Sequence, residues 1–356
     1  MPDASPASAP PSSAARTRPR PLYWSVRREL WENQAIWIAP LAVAAVIICG
    51  MMIAVFAPHH TTASTVHRTG FFTTQGVTQN PPQIAGPGDI PGFAPPPAVG
   101  SSDQAAVVAK APSKPMTPAQ RRAMSLIPFN IVAVALIFTM FMVSVFYCLG
   151  AMFNERRDRS ILFWKSLPVP DVTTVAAKLI VPMAILPLVT LVVTVGTQLL
   201  MLLIGVLDLA VHGKDPGLAT SIPLGEMSLV LLYGLTTLTL WWAPVYGWLL
   251  LVSGWAKRAP FLWATLPLLA LAIGEKLAFN TNHIGNLIVS RLGGNFEEAF
   301  GPVAPDAVKA GLVPIISLSQ IDAGKFFSSP GLWVGLVVAA GLLAATVWLR
   351  REREPI

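Results

Sequence analysis

The chain has 356 residues, of which 53% are hydrophobic and only 12% charged, and its formal net charge is +7. Soluble proteins carry roughly 25% charged residues, so this composition, with a mean hydropathy of +0.59, excludes an ordinary soluble enzyme and points to an all-α integral membrane protein. Its two cysteines, Cys49 and Cys148, both lie in apolar runs and imply no disulfide framework.

Sixteen of the 33 prolines fall in residues 1–21 and 81–118, among Ala, Ser, Gly and Thr. Such stretches cannot bury a core, so 1–21 is expected to be a disordered tail and 81–118 to belong to a long loop, 58–124, between the first two spans. Leu22 to Gln34 reads as an amphipathic elbow helix. Tyr23, Val26 and Leu30 share one face with Trp24 and Trp31 beside it, while Arg27, Arg28, Glu29 and Glu32 cover the remainder. Aromatic residues favour the headgroup layer and arginines pair with anionic lipid, so the helix should lie on the inner leaflet. It reads either as a juxtamembrane anchor or as a helix that also packs on a cytoplasmic partner.

Six apolar stretches follow, at about 35–57, 125–150, 179–207, 227–255, 261–278 and 331–349. Roughly 20 helical residues cross a bilayer, and only helices satisfy their own backbone there. With the N-terminus cytoplasmic, segments 1–34, 151–178, 256–260 and 350–356 carry fifteen Lys and Arg over 74 positions. The segments outside, 58–124, 208–226 and 279–330, carry nine over 138. This asymmetry places both termini in the cytoplasm, and the whole net charge of +7 then lies on that side. The basic excess is therefore topological and gives no support to nucleic-acid binding.

The cytoplasmic loop 151–178 is the most informative segment. Glu155, Arg156, Arg157, Asp158 and Arg159 continue the second span as a charged run; Ile161, Leu162, Phe163 and Trp164 form an apolar group, followed by Lys165. Pro168 and Pro170 then break the helix, and Asp171 is placed to cap the next one, which runs past Lys178 to about residue 207. Pro182 and Pro187 are expected to kink that helix. Topogenic charge and belt aromatics account for part of this pattern. An amphipathic elbow between two long helices is also what a lever gripped by a soluble partner needs.

The segment NERRDRSILFWKSLP, with an elbow helix before the first span, resembles bacterial ABC-transporter permease subunits of the ABC-2 class. The resemblance covers roughly 22–280, and FFSSPGLWVGL (Phe326 to Leu336) entering the last span is also similar. It implies a six-span permease of the bacterial inner membrane, most naturally an exporter, that pairs with a second permease copy and with cytosolic ATPase subunits. The loop would carry the coupling helix that docks on the ATPase, with Glu155, Arg157, Asp158, Arg159, Phe163, Trp164, Pro168 and Lys178 as the matching positions. ATP and Mg would be held by the partner, with no cofactor in this chain. The chain departs from the family in its long proline-rich external loop and in Pro170 before Asp171, where a small polar residue is common.

No GxxxxGK[ST] loop occurs, since the Gly-Lys pairs at Gly213 and Gly324 lack the upstream glycine, and no HExxH, GxSxG or SxxK is present. The chain is thus expected to have no nucleotide-hydrolysing site or catalytic residues of its own. His59, His60 and His67 cluster in the external loop without a Cys or carboxylate to complete a metal site. Glu275 and Lys276 are the charges placed inside a span, three residues from its outer end. They either snorkel to the surface or line a substrate path or dimer interface. Glu226 reads as interfacial, and Trp241, Trp242, Trp248 and Trp255 as packing or belt residues. Two other functions stay open. One is a membrane enzyme or assembly protein, which would need polar residues converging at one depth. The other is a secondary transporter, which would need intramembrane carboxylates and broken helices.

Overall fold

The computed structural model describes residues 21–56, 118–158, 170–211, 222–294, 296–300, 318 and 321–352. Most of the proline-rich stretches 1–21 and 81–118, and the histidines at 59, 60 and 67, lie outside them. The described chain is helical, with a lone β-bridge between Phe300 and Ile321. Its helices are α1 (Pro21–Glu32), α2 (Ala35–Phe56), α3 (Pro118–Ala151), α4 (Phe153–Arg157), α5 (Asp171–Ile180), α6 (Leu186–Val211), α7 (Leu224–Trp255), α8 (Pro260–Phe279), α9 (His283–Gly293), α10 (Phe296–Ala299), α11 (Ala323–Ser328) and α12 (Pro330–Glu352). Six segments are long and apolar enough to cross a membrane: Ala35–Val55, Ser125–Arg157, Asp171–Val211, Leu224–Trp255, Pro260–Phe279 and Pro330–Glu352. The protein is an all-α, multi-pass membrane protein.

Local chemistry sets the breaks between helices. Asn33 closes α1, its backbone amide and its Nδ2 both donating to the Glu29 carbonyl, at 3.1 and 3.0 Å. Asp171 is the first residue of α5, with Pro170 before it. The expected Asp171 cap is therefore corrected. Pro170 occupies the cap position with no side-chain hydrogen bond, and the Asp171 carboxylate faces Arg350 instead. Between α5 and α6 the residues Val181–Ile185 form a π turn, with the Leu186 amide donating to the Val181 carbonyl. Pro182 lies inside this wide turn and Pro187 just after it; neither has an amide to give to the helix ladder, and the extra residue per turn accommodates the missing bonds.

Packing is uneven around the bundle. Helices α7 and α12 run in close contact where Gly247 faces α12, and a Cβ there would meet the Ala339 carbonyl at 3.3 Å. Small residues at such seams let membrane helices approach closely, because lipid supplies no hydrophobic drive between them. A core of Tyr147, Cys148, Leu235, Trp241, Trp242, Tyr246, Leu250 and Leu332 centres on α3, α7 and α12. A second, with Met51, Phe129, Leu136, Met201 and Ile204, joins α2, α3 and α6. By contrast Ala264 alone is buried on α8, whose Phe261, Leu266, Leu269, Ile273 and Leu277 are exposed. That helix faces lipid or another chain.

Candidate functional site

α1, the start of α5 and the end of α12 meet on one face of the bundle, called here the elbow face. Its centre is a buried ionic network. Glu29 of α1 accepts from Arg28 (2.8 Å) and Lys178 (2.7 Å) through Oε1, and from the Tyr147 hydroxyl (3.0 Å) through Oε2. Glu155 of α4 lies 2.6 Å from Arg28 and 3.0 Å from Lys178 through Oε1, and 3.0 Å from Arg350 through Oε2. Arg350 then reaches Asp171, Nε to Oδ1, at 2.9 Å. Three cations thus face three carboxylates. Lys178 is only 1% exposed and Glu29 2%, so neither charge could be held there without its partners. At Arg28, burial works against the charge, but Glu29, Glu155 and Glu32 outweigh it and hold the guanidinium above the ordinary arginine pKa.

A second set of bonds locks the junction of α3 and α4. The Ser253 hydroxyl donates to the Leu149 carbonyl (2.7 Å) and accepts from the amides of Met152 and Phe153 (both 3.0 Å). Arg156, 4% exposed, donates to the Gly254 and Ala256 carbonyls at the end of α7. A cation suits that place, since the last carbonyls of a helix carry partial negative charge.

The predicted coupling residues therefore divide. Glu155, Arg156 and Lys178 face inward, while Arg157 and Asp158 are exposed, pair at 3.3 Å, and leave the bundle together. Arg159, Phe163, Trp164, Lys165 and Pro168 lie outside the described residues. Within α1, Glu29 departs from the expected solvent-facing polar side: it is the most buried residue of that helix because Lys178 and Tyr147 await it. Trp24 and Trp31 are exposed, with Arg27 over the Trp24 ring at 5.3 Å, while Arg28 turns into the network.

On the opposite face, Glu275 is used as a cap. Its carboxylate accepts from Thr281 Oγ1 (2.7 Å) and from the amides of His283 (2.8 Å) and Ile284 (2.7 Å), holding the first turn of α9. Lys276 is exposed beside it. Arg291 on α9 stacks over Trp241 at 4.1 Å and donates to the Gly331 carbonyl, staking α9 onto α7 and α12. Burial lowers its pKa below the ordinary arginine value. Glu226 accepts from the Leu318 amide at 3.2 Å. Trp241 and Trp242 are buried packing residues, Trp248 donates to the Ala264 carbonyl at 3.0 Å, and Trp255 meets Trp263 edge to face. Among the described residues no group of His, Cys, Asp and Glu could hold a metal.

Glu29, Tyr147, Asp171, Ser253 and Arg350 were not marked as a unit by the sequence. The available signal was positional: each lies at the elbow-face end of a helix, and acids as well as bases flank the apolar runs there.

Set against known proteins, the chain matches no family model, no curated protein and no solved structure.

Proposed function

We propose that this chain is the permease subunit of an ATP-driven transporter, similar in plan to the ABC-2 class, with the elbow face in the cytoplasm. Segment 159–169 would receive the stroke of a separate ATPase. The observation that carries this reading is the bridge made by Arg350. It ties Glu155, just before that segment, to Asp171, just after it. Through Lys178 and Arg28 the same network reaches α1. A force on the segment would thus act on α3–α4, α5–α6, α12 and α1 together, as a lever requires. A distributed contact of this kind lets ATP binding favour one of two bundle arrangements by differential contact with the segment. Export, a second permease copy, and ATP with Mg in the partner follow from the same resemblance.

The test is co-expression of the full chain with candidate ABC ATPases, purification in detergent, and assay of ATP turnover. A stable complex is expected, and Phe163→Ala with Trp164→Ala should lower its recovery and its turnover. Failure of every ATPase to co-purify, or indifference of the complex to the double substitution, would overturn the reading.

A further inference from the structure

α1 and α5 pack side by side, and each joins its span through a break in the helix. The chain leaves α1 by the non-helical pair Asn33 and Gln34. It leaves α5 by the π turn, where Pro182 has no amide to give. Neither helix is embedded in the apolar cores. Among the described side chains of α1 only that of Glu29, a charge, is buried. On α5, buried Val175 and Ala177 belong to neither core, and the first buried core member along this helix is Val181, inside the π turn. Leu30 and Leu179 touch the larger core from its edge. Beyond the turn, α6 packs on α2, α3 and α7.

What holds the pair to the bundle is mainly polar. Glu155 of α4 binds Arg28 and Lys178, Arg350 of α12 binds Asp171, and the Tyr147 hydroxyl of α3 donates to Glu29. Glu155 is the common point, since its other oxygen pairs with Arg350. Its own helix is fixed, because Ser253 and Arg156 lock the α3–α4 junction to the end of α7. The seam is also loosely filled. A polar cavity of about 390 Å³ runs between Glu29, Glu32 and Asn33 on one side and Gly150, Asn154 and Glu155 on the other. An apolar seam resists separation in proportion to the area it would expose. An ionic seam beside water resists less, because separated ions recover the hydration lost on burial, which offsets much of their attraction. Hinges are a few residues at element ends that absorb a change of dihedral angle, and prolines and π turns are where helices bend.

We infer that α1 and α5 form a two-helix flap, hinged at Asn33–Gln34 and at the π turn and latched to the bundle by Glu155. A swing of about 20° over the roughly 15 Å of α5 moves its far end by about 5 Å. Use of the flap as the element an ATPase moves rests on the transport reading above, whereas the hinge and the latch do not.

The experiment is double electron–electron resonance on the full chain in phosphatidylcholine nanodiscs, with Cys49→Ser and Cys148→Ala removing the native thiols. Spin labels at Val172→Cys and Leu199→Cys, both exposed positions, span the π turn and lie roughly 40 Å apart along the helix. A second pair, Tyr23→Cys with Val172→Cys, reports within the flap, and a third, Leu199→Cys with Leu271→Cys, within the bundle. Glu155→Gln is expected to shift or split the first distance by about 5 Å and to leave the other two as they were. An unchanged first distance overturns the latch, and an equal change in the Tyr23 pair overturns the two-helix flap. Should Glu155→Gln fail to fold, the chain with Glu155 intact decides. A distribution across the π turn broader than that within the bundle supports the hinge, and one equally narrow overturns it. No ATPase is present in this assay. An immobile flap in a chain that still recruits an ATPase sinks only the hinge, and a mobile flap without recruitment sinks only the permease reading.

Discussion

Lys178 Nζ lies 2.7 Å from Glu29 Oε1, joining the elbow helix to the third span, with both side chains withdrawn almost completely from solvent. Each depends on the network around it, Glu29 also on Arg28 and Lys178 also on Glu155. Removing one partner of a buried pair costs about 3–5 kcal/mol when the other is left uncompensated; here Arg28 and Tyr147 still hold Glu29, and the loss falls toward the lower end of that range. Lys178→Met should therefore lower the detergent unfolding temperature sharply. Adding Glu29→Gln should return part of the loss, since the double variant buries no orphan charge. Tryptophan fluorescence melts will read both. A double variant no better than Lys178→Met would mean that the pair is not coupled.

Arg350 reaches two carboxylates at once, Glu155 at 3.0 Å and Asp171 at 2.9 Å. A guanidinium has several donors in a fixed fork, whereas an ammonium is a point charge. Arg350→Lys should keep one bond and lose the bridge. Hydrogen exchange is expected to rise in α4 and in the first turn of α5, with the middle of α7 unaffected. Uniform exchange across the bundle would show that the bridge holds nothing together locally.

Ser253 serves three backbone groups at the α3–α4 junction. Alanine there leaves buried amides without an acceptor, at about 1–3 kcal/mol for an unsatisfied group. Ser253→Ala should destabilise the protein by that order, and Ser253→Thr, which keeps the hydroxyl, by less. Equal melts for the two substitutions would assign the effect to packing and not to the hydroxyl.

Glycines at two depths of the bundle provide a paired comparison. A Cβ at Gly247 would sit 3.3 Å from the Ala339 carbonyl, while one at Gly341 meets nothing within 4 Å. Gly247→Val should cost about 1–3 kcal/mol through forced separation of α7 and α12. Gly341→Ala should be neutral or stabilising by up to about 1 kcal/mol, through helix propensity. On the opposite face, a Cβ at Gly335 would fall 2.8 Å from the Arg291 guanidinium, so Gly335→Ala should mimic Arg291→Ala. The two should fail to add when combined, as expected of groups in contact.

Length, composition and hydrophobic runs were enough to specify six membrane-crossing helices and an elbow before them, because lipid leaves an apolar chain of this kind no other way to satisfy its backbone. The proline pair at 168 and 170 likewise marked the start of the third long helix. What could not be read was the partnership of charges. Taken along the chain, Glu155 and Arg156 look like part of any solvent-facing charged run and Lys178 like an isolated base. Yet in space Lys178 closes on Glu29, 149 positions away, and Arg350 on Glu155, 195 positions away. Those separations carry no periodic signal, and the burial that makes the ions depend on one another exists only once α1, α4, α5 and α12 have met. The same holds for Glu275, legible as an intramembrane charge but not as the cap of α9. Hydropathy decided the spans residue by residue; tertiary structure decided which charges face inward, because pairing energy in a buried site depends on distance and desolvation rather than on sequence.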